Sequence, residues 1–513
     1  MPEPEKKRLT ALGAGMLLAA ILSAAICAII YELLIGSVAS YFLGDSVEQF
    51  SLTIGIFLAS MGLGSWLSRF ISDSALLKRF AQIEIWLGLL GGLAVALLYV
   101  LYGYTSHFRT GMVAMIVLIG ALIGLEVPLL TRLMREVDTL RTTLSTVLSL
   151  DYLGALVAAL LFPYVLLPFL GTLHTGLVAG LANSAVGLGV VFAFKGWLAP
   201  REYGSLIAQA VFVLFLLLGL AWQSEGLLDR WESDLYDDQI VHSEQSKYQK
   251  IVMTRRGDFL RLYLNGHLQF ASVDEHRYHE ALVHPALSLV TNRERVLIIG
   301  GGDGLTAREV QKYADVRQID LVDLDPAVTH LAQRNIYITK LNQNALNRPG
   351  ISVLNEDGLL FLQREHMAYG AIILDLPDPR EEGLAKLYSV EAYNLCRRLL
   401  SPGGMLVTQA SSPYYSREAY WSIAETLEKA GFAVHSYHLQ VPSFGEWGFH
   451  MASVGKIDPA EIDFSVPMRY LDDEVWQTLH IFDGDMARLP VAANRLDKPV
   501  LARYYRRGWS AWF

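Results

Sequence analysis

Apolar residues are not spread evenly along this chain. Up to about residue 224 they come in long unbroken runs, and beyond it they alternate with polar residues at strand and helix spacing. Seven of the early runs, near 9–35, 50–70, 80–103, 110–131, 143–169, 171–194 and 203–223, approach the roughly twenty residues that a helix needs to cross a bilayer. They predict an all-α polytopic membrane domain over 1–224. The first run is too long, and too lacking in a cleavage site, to be a signal peptide alone. Pro163 and Pro168 fall in the fifth and predict a kink or an early end.

The second half reads differently. Gln223 to Asp238 is acidic and carries Trp231, so a linker is expected over 225–240. Lys250–Thr254, Phe259–Leu264 and Leu268–Phe270 alternate, with Arg256-Gly257-Asp258 and Asn265-Gly266 as turns between them. With a helix over Ser272–Leu289 they predict a small antiparallel β subdomain over 241–290. Strand and helix then alternate, with strands at Val296–Ile299, Gln318–Val322, Ile351–Leu354, Ala371–Leu374 and Met405–Thr408. That pattern predicts a doubly wound α/β domain of the Rossmann-like, methyltransferase type over 291–460, with ligands at the carboxyl ends of its strands. Residues 461–513 form a C-terminal extension, whose Arg503-Tyr-Tyr-Arg-Arg-Gly-Trp509 is read either as a lipid-facing or as a solvated end.

Composition agrees with a divided chain. Of 513 residues only 18% are charged, and the mean hydropathy is +0.32. A net charge of −9 without a basic stripe in the soluble half argues against nucleic acid as a partner. Cys27 and Cys396 are the two cysteines, so neither a disulfide framework nor a zinc site is expected. Lys6, Lys7 and Arg8 precede the first run; Arg69, Lys78, Arg79, Arg132, Arg135, Arg141, Lys195 and Arg201 lie in alternate loops. Positive residues favour the cytoplasmic side, which puts the N-terminus inside a cell (inner) membrane. Seven crossings then carry the second half outside, whereas use of a nucleoside co-substrate argues that it is cytoplasmic; the proline-bearing fifth run is where a span is most easily lost. Glu32, Glu126 and Asp151 sit within apolar runs, where a carboxylate costs roughly 2.5–3.5 kcal/mol at mid-helix. They are read either as capped or paired groups or as a cation site, with Glu126 and Asp151 at similar depth and Glu32 toward the other side.

The run Val296–Val310 carries the most chemistry. An apolar strand enters Gly300-Gly-Gly-Asp-Gly304, and a helix follows. Glycines there let a nucleoside ligand approach the backbone. Asp303 suits a cationic ligand and is unsuited to pyrophosphate. Asp323 stands 23 residues after Gly300, the interval of the acid that accepts ribose hydroxyls. Asp357 follows the third strand, and Asp375 and Asp378 follow the fourth. Acids after four successive strands, all on one rim, form a set that solvated turns do not explain.

Tyr248-Gln-Lys-Ile, Asp274-Glu-His-Arg-Tyr-His-Glu280, Gly300-Gly-Gly-Asp-Gly304, Asp323-Leu-Asp325, Glu356-Asp-Gly358 and Asp375-Leu-Pro-Asp-Pro379 occur in one order. Together they resemble the polyamine aminopropyltransferases, the spermidine synthase family, over roughly 240–455. The first half resembles that of the membrane-fused bacterial members through Tyr31-Glu-Leu-Leu, Glu126-Val-Pro-Leu and Asp151-Tyr-Leu-Gly-Ala-Leu. The resemblance implies decarboxylated S-adenosylmethionine as co-substrate, no bound cofactor and no metal. It implies that Gln249, Asp323, Asp357 and Gly358 hold the adenosine part and that Asp303 meets the aminopropyl ammonium. Tyr278, His279, Asp375 and Asp378 would hold a putrescine-like diamine, with Asp303 also bordering it, Asp375 as the base and Tyr278 as its catalytic partner. Spermidine and methylthioadenosine would be the products. A homo-oligomer is left open.

Departures from the family pattern bear on the acceptor more than on the donor. Asp323 stands where Glu is more frequent. Asp375-Leu-Pro-Asp-Pro379 lacks two hydroxyls, Phe444 occupies an expected tyrosine position, and Arg380-Glu-Glu-Gly replaces a proline. His284, before Pro285, reads as a packed helix-end residue, His279 as either an acceptor contact or a structural group, and Trp447 as packing. Two rival functions are a methyltransferase on the same fold and a membrane polyamine transporter or sensor whose soluble half binds without turnover.

Overall fold

The computed structural model describes residues 11–43, 46–105, 107–134 and 140–512, the side chains of 11, 12, 14, 46, 140–143, 225, 227–235 and 461 excepted. Lys6, Lys7, Arg8 and Arg135, with the side chains of Arg141 and Trp231, lie outside the described residues. The chain forms two compact units, Met1–Asp237 and Asp238–Phe513.

The first unit is helical: α1 (Ala11–Leu43), α2 (Ser46–Leu67), α3 (Leu76–Tyr104), α4 (Phe108–Met134), α5 (Leu140–Leu161), α6 (Leu167–Ala193) and α7 (Pro200–Leu235). Among the described residues six helical segments are long and apolar enough to cross a membrane, by length and composition; the fifth, Leu144–Ala193, has 50 residues. At about 1.5 Å per residue it would reach roughly 75 Å, more than twice a bilayer core. The chain breaks it instead. Phe162–Leu166 forms a π turn around Pro163, and Gly171 leaves helical geometry at φ 67°, ψ −175°. Both arms then pack on α1. Gly154 of α5 lies against Ala25 and Leu22, while α6 runs antiparallel to α1, with Gly176 beside Leu34 and Gly189 beside Met16. The basic loops gather on one face: Lys78 pairs with Glu202 at 3.0 Å, and Arg132 pairs with Asp73 and donates to the carbonyls of Ser68 and Ile71. The stretch expected to be a linker is helical as far as Leu235.

The second unit opens with an antiparallel meander, β1 (Gln239–Gln245), β2 (Lys250–Arg256), β3 (Phe259–Leu264) and β4 (His267–Ala271). β1 was not expected; its Gln, His, Ser and Glu side chains hide a strand that is partly exposed at the sheet edge. Asn265 (φ 50°) and Gly266 (φ 77°) make the predicted tight turn, with both residues left-handed. Helix α8 (Glu275–Leu289) follows. The seven-stranded sheet has the order β10-β11-β9-β8-β5-β6-β7. β5 (Arg295–Gly300), β6 (Gln318–Asp323), β7 (Ile351–Asn355), β8 (Tyr369–Asp375) and β9 (Leu400–Gln409) are parallel. β10 (Ala433–Val441) and β11 (Gly445–Ser453) add an antiparallel hairpin that the sequence reading omitted. The strand order reverses between β5 and β8, the switch point where such sheets bind ligands.

The C-terminal extension is packed, not a solvated end. Leu501 and Ala502 are buried, the Asn494 amide donates to the carbonyls of Ala385 and Tyr388, and Trp421 Nε1 donates to Met486 O.

Helix α8 is clamped to the short helix α9 (Leu305–Val310) by buried charge. Arg308 makes a bidentate pair with Glu275 at 3.0 and 2.9 Å and reaches Glu309 at 2.9 Å. His284, in the middle of α8 and not at its end, bridges Glu309 (2.8 Å) and the Tyr313 hydroxyl (3.1 Å). Removing one partner of such a pair leaves a charge buried alone. Arg308→Met should therefore lower unfolding stability of the second unit by about 3–5 kcal/mol, read as a shift in urea midpoint, and Arg308→Lys should lose less.

Candidate active site

The glycine loop is squeezed between two strand ends. A Cβ on Gly300 would fall 2.0 Å from the Asp375 carbonyl oxygen, and one on Gly302 would fall 2.5 Å from Asp323 Oδ2. The Gly301 amide donates to the Asp375 carbonyl at 2.9 Å, and the Gly302 amide to Asp323 Oδ2 at 3.1 Å. The carboxylates at the ends of β6 and β8 are thereby drawn in around Asp303, whose Oδ1 accepts from the Leu305 amide at 2.9 Å. Gly358 packs beneath, where a Cβ would meet Ile299 at 2.7 Å.

Asp375 is held through both oxygens by side-chain hydroxyls. Oδ1 accepts from the Tyr278 hydroxyl at 2.8 Å and Oδ2 from the Thr306 hydroxyl at 2.6 Å. A carboxylate offers about four acceptor positions, so these two bonds fix its plane and leave acceptor capacity on each oxygen. Burial, with the Asp375 charge, pushes the Tyr278 phenol well above its ordinary range, so it remains a donor. Tyr278 is itself held edge-on by Phe449 and Phe444, with centroids 5.3 and 6.3 Å away.

Desolvation in the recess raises Asp303 to about 6, with the Asp375 charge adding and His279 opposing. Asp323 is also raised to about 6 by burial, against the pull of two backbone amides. His279 moves the other way: burial disfavours its charge, but Glu275, bonded to Nδ1 at 2.9 Å, outweighs burial and holds it at about 9. It is a fixed imidazolium facing Asp303 and Asp375.

Asp378 stands slightly apart. Oδ2 accepts from the Tyr505 hydroxyl at 2.9 Å, brought by the C-terminal extension, and burial raises it to about 7 although Tyr505, Gln409 and Ser411 act against the shift. Gln249 does not point freely into the recess: its Nε2 donates to Asp325 at 3.0 Å, which leaves its carbonyl for a ligand. Asp357 has both oxygens engaged, Oδ1 capping the helix Gly358–Arg364 through Leu359 and Leu360 and Oδ2 pairing with Lys386 at 2.5 Å. Lys386 holds it below the ordinary range against the effect of burial. The motif around Tyr278 is largely scaffold: Asp274 binds Ser443 at 2.6 and 2.9 Å, and Glu280 accepts from the amides of Arg469, Tyr470 and Leu471. Thr306, Tyr388, Gln409 and Tyr505 escaped the sequence reading. Thr306 had a usable signal, a hydroxyl in the first turn after the glycine loop; Tyr505 had none, because its contact spans 127 positions.

Residues 275–465 match the spermine/spermidine synthase domain. The chain is 42% identical over 502 residues to polyamine aminopropyltransferase 2 of Ralstonia nicotianae, covering 97% of this chain and 98% of that one. It is 41% identical to the polyamine aminopropyltransferase of Leptospira interrogans, covering 94% and 96%. The chain belongs to the polyamine aminopropyltransferase family. It is also similar to the crystal structure of spermidine synthase from Thermotoga maritima, at 24% identity and TM-score 0.43, over 53% of this chain and 87% of that one. An aminopropyltransferase handles polyamines, which are cations, and this recess offers four carboxylates against one fixed imidazolium.

The raised acids carry a stability cost with a definite sign. Asp378 is raised above its unfolded value, so its favourable contribution is complete below about pH 4 and is lost as pH rises through about 7. Asp378→Asn should therefore be more stable than the ligand-free parent at pH 8, by on the order of a few kcal/mol, and the difference should shrink steadily as pH falls and vanish below about pH 4, as differential scanning calorimetry would measure.

Proposed function

We propose that this aminopropyltransferase moves the aminopropyl group of decarboxylated S-adenosylmethionine to putrescine, giving spermidine and methylthioadenosine. The observation that carries the reading is Asp375, fixed by Tyr278 and Thr306 at 2.8 and 2.6 Å beside a glycine loop. In the family, this is the position of the base.

The acceptor arrives as an ammonium. At a pKa of about 10.4, freeing its lone pair at pH 7 takes roughly 4–5 kcal/mol. Asp375 accepts a hydrogen bond from that nitrogen and takes its proton, while Tyr278 and Thr306 hold the carboxylate plane so that the proton moves along one direction. The nitrogen then attacks the methylene beside sulfur. The new N–C bond forms as the S–C bond breaks, and its electron pair leaves on sulfur as the neutral thioether of methylthioadenosine. Positioning both reactants supplies much of the remaining acceleration.

Asp303 and Asp323 divide the donor between them, Asp303 at the aminopropyl ammonium and Asp323 at the ribose hydroxyls. The Gln249 carbonyl and Gly358 border the adenosine, and Asp357 joins them when Lys386 moves aside. Asp378 and His279 border the acceptor, with the imidazolium limiting how many ammoniums the recess tolerates. Intact S-adenosylmethionine would bring its own carboxylate against these acids, which argues against methyl transfer. The unit is inferred to face the cytoplasm, where such a donor is at hand, on a protein anchored in the inner membrane.

Asp375→Asn should lower kcat by about 10²–10⁴ while donor affinity changes little. Purified protein given decarboxylated S-adenosylmethionine and a panel of diamines should release methylthioadenosine with putrescine; inactivity with every amine would overturn the reading. A reporter fused after Phe513 should score as cytoplasmic, and a signal from the far side would reverse the inferred orientation.

A further inference from the structure

Unit one holds acids that nothing in the transfer reaction uses. Glu32, Glu126 and Asp151 line a single cavity of about 70 Å³ between α1, α2, α4 and α5. A fourth acid, Glu84 on α3, was overlooked in its apolar run; it is fully buried, and neither of its oxygens has a hydrogen-bond partner. Glu126 Oε1 is equally bare and lies within electrostatic reach of both Glu84 and Asp151. Among the described residues no basic side chain pairs with any of the four.

Beyond the lining of the cavity, toward α3, other polar groups are bare as well. The Tyr31 hydroxyl is completely buried and has no partner, although it sits in the field of Glu84 and Glu126. On the far side, Ser184 Oγ is also buried and unpartnered; it lies against Gly88, one turn along from Glu84. A buried hydroxyl normally finds a partner. A carboxylate in an apolar bundle is normally neutralised or marks a ligand path.

We propose that this cavity binds an alkylammonium cation of the diamine or polyamine class, at a site separate from the catalytic recess. The walls favour that class over a metal ion. Eleven of the fourteen lining residues are apolar, among them Ile21, Met61 and the buried ring of Phe57. The surrounding backbone oxygens are consumed in helix bonding, so a hard ion would find few ligands beyond the carboxylates. An alkylammonium finds carboxylates for its charged end, methylene-lined walls for its chain and an aromatic face beside it. Glu32 and Asp151 are half-buried at the cavity mouth, while Glu126 is fully buried. A cation entering there passes from half-buried to fully buried carboxylates.

The test is equilibrium binding of radiolabelled putrescine and spermidine to the full-length protein in lipid nanodiscs, with transfer activity measured on the same samples. Two classes of site per chain are expected. Glu126→Gln combined with Asp151→Asn should abolish one class and leave kcat/KM for transfer unchanged. Glu32→Gln alone, which keeps the shape of the lining, should weaken that class by roughly tenfold or more. A single class in the parent, or two classes intact in the double variant, would overturn the proposal, as would displacement of the second class by sodium ions as effectively as by putrescine. Loss of transfer with the second class intact would count against the catalytic reading alone.

Discussion

The second unit depends on a stretch of backbone that has no room for side chains. Gly300 and Gly302 pass so close to the ends of β8 and β6 that a Cβ at either would strike Asp375 or Asp323. That approach lets three carboxylates share one recess, and sharing has a consequence: burial and mutual repulsion lift Asp303 and Asp323 to about 6. An empty recess of this kind is electrostatically unfavourable, and a cationic ligand relieves it. Affinity for such a ligand is therefore partly the release of strain already present in the free protein.

The acids would not act together without a rigid frame. Asp375 owes its orientation to one hydroxyl from α8 and one from α9, and those helices are locked to each other by the buried Glu275–Arg308 pair. α8 is fastened at two more points, by Asp274 to Ser443 and by Glu280 to the backbone at 469–471. Three of the charged residues in the run 274–280 thus hold the helix so that a fourth residue, Tyr278, can touch the carboxylate. The chemistry rests on one side chain and its precision on the others.

The legible parts of this molecule were those with a local signal. The glycine loop, the Asn265-Gly266 turn and the five parallel strands announce themselves within a few residues, through φ requirements or apolar runs. β1 was hidden by its polar edge-strand composition, and the hairpin β10–β11 because histidine, serine and glycine interrupt its alternation. The recess could be located from the acids that follow each strand. The rest of its equipment could not, because Tyr505 and Gln409 reach Asp378 across long sequence separations. Gln249 and Asp357 show a subtler limit: a motif residue can be in place and still have its polar atoms engaged elsewhere, by Asp325 and Lys386.

Charge matching separates structural acids from the rest in both units. In the second unit, buried acids away from the recess are satisfied: Glu275 and Glu309 by Arg308 and histidines, Asp320 by Arg295 and Tyr369, Glu280 by three amides. Asp303, Asp323, Asp375 and Asp378 are offered only hydroxyls and amides as hydrogen-bond partners, whereas Asp357 pairs with Lys386. Where several buried acids crowd one recess with no cation of the protein's own bonded to them, a cation is to come from outside. Glu84 and Glu126 in the first unit are more extreme, since both oxygens of Glu84 and Oε1 of Glu126 lack even the hydroxyls and amides that attend Asp303 and Asp375. A helical bundle that served only as an anchor would gain nothing from buried, unpaired carboxylates, and two of them, Glu84 and Glu126, place their field on the equally bare Tyr31 hydroxyl.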